Sequence, residues 1–525
     1  MKRQRLVKIL VVALVSVLIL SACGAPGGGA PPEETVGVYA YMIATTSFDP
    51  TGNYSDEGMV LVNAYETLVH YNAPGSAELI SPVLATSWET NDDATEWVFK
   101  LREGVKFHDG TDMNAEAVKY SIDKNIERGL GASYIWEPVE EIEVVDDYTV
   151  RFKLSHSAPL DLIASAHYNV YIISPTCDKA HDAAWYDEGN DCGSGPYVIE
   201  SRERGQRTVL SRFDDYWGGW KDGQFHKIVV EEIEDASVRQ QRLEEGTVDV
   251  TLNLPVDNLE SLDAREDVTV YSNPSFQTII GLYNHEKPPL DNKLVRQAIS
   301  YAFPYKDYID KVHMGYAVQS TGPIPTTMFG HGSDLYQYSY DLEKAEQLLV
   351  EAGYSDGGPD LVLIYTSGDV FEQQAAELWK AELAKIGVNM QLREMGWEAA
   401  WDYATNSDPA EAQDIFLFYW WPDYVSPYSF LFNMFHCEEQ PLWNLGYVCN
   451  PDLDATMDKA AELLGSDREE SERLFIQAQE MLVDDADALY ICDINNVHVM
   501  RSDISGFVDN PAYPHSIFWS YLTRK

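Results

Sequence analysis

The stretch LVLIYT at 361–366 is followed by the helical repeat VFEQQAAELWKAELAKIG and then by VNMQLREM at 388–395. No other part of the chain constrains its fold as much. An apolar strand, a helix stopped by Gly387 and a second strand are joined by short links. Such a unit closes as a parallel pair with a right-handed crossover. The residues before it agree with a layered α/β arrangement. In DNKLVRQAISYAF, Asp291 is a candidate cap, and Leu294, Val295, Ala298, Ile299 and Ala302 fall on one helical face. In DLEKAEQLLVEAGY, Leu342, Ala345, Leu348, Leu349 and Ala352 do the same, and Gly353 ends the helix.

The first half has a different rhythm. Trp97, Phe99 and Leu101 share one face of a strand, with Val98, Lys100 and Arg102 on the other. IEVVDDYTVRFKL predicts two strands turning at Asp146-Asp147, and YVIESRERGQRTVLSRF predicts two more turning near Gly205. Asn114 is placed to cap a helix that Gly129 stops. A β-rich lobe thus precedes an α/β lobe. A chain of 525 residues exceeds one compact core and predicts two or three domains. Ligands in such architectures bind at strand carboxyl ends or between domains.

The N-terminus is a leader. Lys2, Arg3, Arg5 and Lys8 precede a 12-residue apolar run, ILVVALVSVLIL. That run is too short for a membrane span, which needs about 20 residues, and it reads as an export signal. Leu20-Ser21-Ala22-Cys23 resembles the lipobox of bacterial lipoproteins, which implies cleavage before Cys23 and a lipid on it. The GAPGGGAPPEE that follows is a flexible tether. Without the leader's four basic residues the body has 33 basic against 85 acidic residues, a formal charge of −52, which disfavours nucleic acid and anionic lipid as partners. In an oxidising compartment the simplest pairing of the remaining cysteines is Cys177 with Cys192 and Cys437 with Cys449, leaving Cys492 as a buried thiol. Other pairings stay open. Paired C-x-x-C knuckles, H-E-x-x-H, a P-loop, a G-x-G-x-x-G fingerprint and a G-x-S-x-G elbow are all absent from the sequence. No metal, cofactor or catalytic residue is therefore expected.

One stretch stands apart. Residues 419–430, YWWPDYVSPYSF, place a single acid, Asp423, among Tyr and Trp, between two prolines that oppose regular structure. A carboxylate in a partly dry aromatic setting needs a partner to remain charged. Either a ligand cation supplies it, with Trp420, Trp421 and Tyr424 as aromatic walls, or an internal donor does.

Several ordered segments carry a strong resemblance to the family-five extracellular solute-binding proteins of bacterial ABC importers, the dipeptide, oligopeptide and nickel type. They are LATSWETNDDATEWVFKLREGVKFHDGTDMNAEAVKYS, GSGPYVIESRERGQRTVLSRFDDYWGG, LEEGTVDV, PPLDNKLVRQAISYAF, YDLEKAEQLLVEAGY and NLGYVCNPDLD. The resemblance implies a two-lobe, periplasmic-binding-protein-like α/β fold of type II, with an extra β-rich subdomain near 80–192. It implies a signal peptide at 1–22, a lipid-anchored linker at 23–35, lobe I at 36–283, lobe II at 284–494 and a return to lobe I at 495–525. Hinges are expected near Tyr283-Asn284 and Asn495-Asn496. The family's peptide binders line their cleft with a W-x-x-D-Y/N-x-D-P-type stretch whose first Asp meets the ligand's α-ammonium. Trp420, Asp423, Tyr424 and Pro427 match it, and Ser426 departs from a second Asp. Thr45 and Thr46, with Ser47, follow the first strand where the family's first loop faces the cleft. His108 reads as structural, and Trp136 and Trp401 read as core.

The function implied is capture of a small solute, a di- or oligopeptide first, by hinge closure and its delivery to an ABC permease. The protein is then a monomer outside the cytoplasm, tethered to a membrane by lipid. The alternatives are an oligosaccharide or metal chelate as cargo, or a secreted glycosidase or peptidase.

Overall fold

The computed structural model describes residues 35–42, 45, 47–52, 57–355, 357–406, 408–439 and 441–525. The leader, Cys23 and Thr46 lie outside these. Among the described residues no helix is long and apolar enough to cross a membrane.

An 11-stranded mixed sheet organises the chain. Its strands are β1 (Val36–Tyr41), β2 (Tyr197–Glu203), β3 (Arg207–Arg212), β4 (Lys227–Glu232), β5 (Val250–Leu252), β6 (Val268–Tyr283), β7 (Ala317–Gln319), β8 (Asp360–Thr366), β9 (Asn389–Met395), β10 (Ile415–Trp420) and β11 (Ala488–Arg501). Their order is β9-β8-β10-β6-β11-β5-β1-β4-β3-β2, with β7 added on β11. The expected crossover is present: β8 and β9 pair in parallel from Asp360↔Asn389 to Thr366↔Met395. Helix α2 (Val370–Lys385) joins them and buries Ala375, Ala376, Trp379 and Leu383. Earlier in the chain, Asn114 caps helix α1 (Ala115–Arg128) by accepting from the Ala117 amide. Gly129 ends it at φ 60°, in the left-handed region that favours glycine. A separate four-stranded antiparallel sheet, built from 85–90, 96–101, 149–154 and 139–146, forms the β-rich subdomain.

Two long strands join the halves of the sheet. The first part of β6 pairs with β11 from Val268↔Arg501 to Pro274↔Asn495, and the second part from Thr278↔Asp493 to Leu282↔Ala488. Between Pro274 and Thr278 the ladder is broken. Before the break, β11 also pairs with β5 of the first half. After it, β6 pairs with β10 of the second half, Thr278↔Trp420 through Tyr283↔Ile415. Residues 278–283, expected in lobe I, thus belong by pairing with the second half. The register of β6 against β11 shifts between Pro274 and Thr278, ahead of the strand end at Tyr283.

Candidate functional site

Strand β10 leads to the site. It is almost wholly buried and ends at Trp420, because Pro422 cannot extend a ladder. Helix α3 (Tyr428–Phe435) begins directly after Pro427, which sits at its N-cap with φ −53°. The intervening loop is fixed from below. The Trp420 indole N–H donates to the Ser429 carbonyl at 2.9 Å, and the Ser429 hydroxyl donates to the Tyr424 carbonyl at 2.9 Å. The Ser426 hydroxyl accepts from the Tyr428 amide at 3.1 Å.

The segment 421–424 is consequently a shaped ridge with a cavity on either side. Asp423 and Tyr424 line a cavity of about 550 Å³. Its other walls are Tyr134, Ile135, Glu137 and Pro138, then His156 to Pro159 with Ile163, beside the β-rich subdomain, and residues of helix α3 and helix α4 (Pro451–Leu463). Trp421 and Pro422 line a second cavity of about 240 Å³, with His167, Tyr168 and His515 of the first half. Ser275, Phe276 and Gln277, inside the ladder break, form its floor with Asn496. Among the described residues neither lining contains a lysine or an arginine.

Asp423 is half-buried, and its Oδ2 accepts from the Asn433 amide at 3.3 Å, a long bond. Burial pushes the Tyr424 phenol well above its ordinary value, and the charges of Tyr428 and Asp423 add to that. Tyr428 is pushed up to about 12, first by burial and then by the carboxylates of Glu137 and Asp458. Trp421 is 42% exposed, an indole presented to the cavity rather than packed away.

The other expected site residues are placed differently. Trp420 is core: its ring meets Phe418 and Trp443 at centroid distances of 6.0 and 5.0 Å, and its N–H is used on Ser429. It shapes the ridge and lines neither cavity. Thr45 is also turned inward. Its hydroxyl donates to Glu232 at 3.0 Å, and its carbonyl and hydroxyl both accept from Arg202, which lies over the Phe48 ring. These bonds occupy the Thr45 hydroxyl and carbonyl, and Thr46 lies outside the described residues.

His108 is structural as read, with its Nδ1 on Asp191 and its Nε2 on the Gly195 carbonyl. Trp136 is buried and donates to the Asn169 carbonyl, and Trp401 packs on Trp397 and Trp443. Disulfides join Cys177 to Cys192 and Cys437 to Cys449, and Cys492 is a buried thiol. The second disulfide ties the end of α3 to the start of α4, where Asn450 caps and Cys437 donates its amide to Asp454. Two groups are dense in potential metal ligands. Of these, Cys437 and Cys449 are already bonded to each other. In the other, near His285, the Arg296 guanidinium occupies Asp485.

Sequence reasoning missed Tyr428, Phe432, Asn433, Glu137, His156, Asp458 and Glu462, because they reach the cavity from four separate segments. The available signals were local: Tyr428, Phe432 and His436 recur every four residues, as do Asp458 and Glu462.

Comparison with known proteins identifies the family and the fold. Residues 80–441 match the family model described as bacterial extracellular solute-binding proteins, family 5 middle. The probable D,D-dipeptide-binding periplasmic protein DdpA of Escherichia coli (strain K12) is 30% identical over 464 residues, covering 87% of this chain and 88% of that protein. The dipeptide-binding protein of the same organism is 29% identical over 539 residues, covering 97% and 96%. The structure of the periplasmic binding protein DppA from Helicobacter pylori, in complex with the peptide STSA, superposes with a TM-score of 0.75. That match has 24% identity and covers 94% of this chain and 98% of that one. The chain belongs to the family-5 bacterial extracellular solute-binding proteins, and its fold is that of the periplasmic binding proteins.

Proposed function

We propose that this protein captures di- or oligopeptides outside the cytoplasm and hands them to an ABC permease. The observation that carries this reading is the position of the 421–424 ridge. It places one carboxylate and one exposed indole on either side of a wall at the seam between the two halves. The relatives named for dipeptides support the cargo class. Lobe I would comprise about 36–274 with 496–525, and lobe II about 278–494, so that the ladder break at Pro274–Thr278 is the hinge. A ligand touching both lobes favours the closed state by its differential affinity. A lipid on Cys23 would keep the protein at the membrane that holds the permease.

In this reading Asp423 receives the peptide's α-ammonium, with Tyr424 limiting water beside it. A charge-assisted hydrogen bond contributes about 1.5–3 kcal/mol, so Asp423→Asn should weaken trialanine binding about ten- to a hundredfold by calorimetry. N-acetylation of trialanine should cost the wild type a similar factor and the Asn variant much less. If acetylation harms both forms equally, Asp423 is an internal partner and the assignment fails.

A further inference from the structure

We propose that the cavity beside Asp423 selects its cargo as an organic cation carrying at least two amino groups, and makes no use of a cargo carboxylate. This rests on the reading of that cavity as the cargo site. A short peptide with free ends carries one charge of each sign. A carboxylate drawn into a partly dry cavity needs a cationic partner, and among the described residues neither cavity at the ridge is lined by a lysine or arginine, the basic groups there being His156, His167 and His515.

The large cavity is built for the opposite sign. Four carboxylates line it: Asp423 from the ridge, Glu137 from the subdomain side, and Asp458 and Glu462 one turn apart on α4. The negative charges of Glu137 and Asp458 are both felt at the Tyr428 hydroxyl, which shows that they converge on one place from two segments of the chain. The wall between them is aromatic. Tyr428 stacks on Phe432 at 4.5 Å, and Phe432 stacks on His436 at 4.1 Å. Ring faces attract ammonium groups, and more so where water is thin. The Ser157 hydroxyl lies in the same lining with no hydrogen-bond partner in the protein.

The present partners of the rim acids are easily exchanged. Glu462 meets Lys459 at 2.7 Å, Asp458 meets His436 at 3.1 Å, and Glu137 lies 3.8 Å from His156. In the first pair both side chains are more than half exposed, and pairs of that kind contribute little. An incoming ammonium therefore replaces little. Asp423 would hold one amino group, and Asp458 with Glu462 a second, across the stacked rings.

Calorimetry with four probes tests this: trilysine amide, trilysine with a free carboxylate, trialanine, and acetyl-trialanine amide. The expected result is one site per protein at 150 mM salt, with both trilysine forms within threefold of each other and at least tenfold tighter than trialanine. The pair Asp458→Asn/Glu462→Gln should weaken trilysine amide at least tenfold and weaken trialanine by a several-fold smaller factor. The exposed pair Asp307→Asn/Asp310→Asn, away from the cavity, should change neither, which separates a site from general attraction to an acidic surface. Trialanine binding as tightly as trilysine amide would overturn the proposal, as would a tenfold loss on amidating trilysine or equal effects of the two variant pairs. If trialanine binds and depends on Asp423, peptide capture survives while cation selection falls. If no probe binds, both fall.

Discussion

The ion pair between Asp161 and Arg468 should hold the two halves together beside the cargo cavity, and its removal should weaken cargo binding without touching cargo. Arg468 opens helix α5 (Arg468–Asp485), and its Nη2 donates to both Asp161 oxygens at 2.8 and 3.1 Å. Asp161 comes from the first half and its side chain is 7% exposed, against 31% for Arg468. Next to the pair the halves approach to backbone contact. A Cβ on Gly465 would lie 2.7 Å from the Ala158 carbonyl oxygen and 2.6 Å from the Ala94 Cβ. A charge-assisted pair contributes about 1.5–3 kcal/mol, and the part-exposed guanidinium sets the lower end, about 1.5 kcal/mol. If lobe II swings about the break in β6, this contact exists only with the lobes together. The whole amount then appears in the closing equilibrium. Asp161→Asn and Arg468→Gln should each weaken trialanine binding about tenfold, and the double variant should do little worse than either single one. Small-angle scattering of the empty variants should show a larger radius of gyration than wild type. The assays are calorimetry at one fixed salt and scattering on the same samples. Unchanged affinity together with a fall in Tm would show that the pair is intact in both states, and the closing argument would be refuted.

The contribution of three buried carboxyls to stability should fall as pH rises from about 4 to 7, while His70, His285 and His313, which burial holds down to about 4, contribute in the opposite sense up to about pH 6.5. Burial raises Glu66, Glu372 and Asp509 to about 7, so the folded protein holds protons that the unfolded chain releases near pH 4. For each such carboxyl the contribution is fully present below its unfolded value and is lost as pH climbs through about 7, amounting to about 3 kcal/mol. Glu372→Gln keeps an oxygen for the Thr366 amide, and it should remove one such falling contribution, making the urea-unfolding stability rise more, or fall less, between about pH 4.5 and 7 than in wild type. An unchanged slope would contradict the assignment. Mass analysis of protein extracted from its native membrane should show a chain beginning at a lipid-modified Cys23, and an unmodified start elsewhere would exclude the anchor.

The local elements were legible because each carries its own cause. Asn114 and Gly129 bracket α1 as expected, and the turns at Asp146-Asp147 and Gly205 fall between paired strands. The α2 crossover needed only apolar period and short links. At Asp291 the reading missed by one residue, since Asn292 makes the cap, because either side chain can accept there. The site was half legible. The flanking prolines announced an irregular ridge, and Asp423 was conspicuous in it. What the sequence hid was tertiary: that Arg202 and Glu232 take Thr45, that Trp420 turns under the ridge, and that Glu137 and Glu462 face one cavity from 325 positions apart. Pairing partners are also non-local, so residues 278–283 read as a strand without revealing which half owns them.

The discontinuous sheet has a consequence for how the protein comes into being. Strand β1 sits between β4 and β5, and β5 pairs with β11, which begins at Ala488. Near the very end, the Trp519 ring packs so close to Gly37 that a Cβ there would lie 2.3 Å from it. The first strand to leave the ribosome therefore waits for almost the last residues before its half of the molecule can be completed. Closing so long a loop is entropically costly, and contacts at such separation slow folding. For a family that works outside the cytoplasm, this delay is useful. A nascent chain that still lacks these late partners stays open, and it reaches its final shape only once nearly the whole of it has been made.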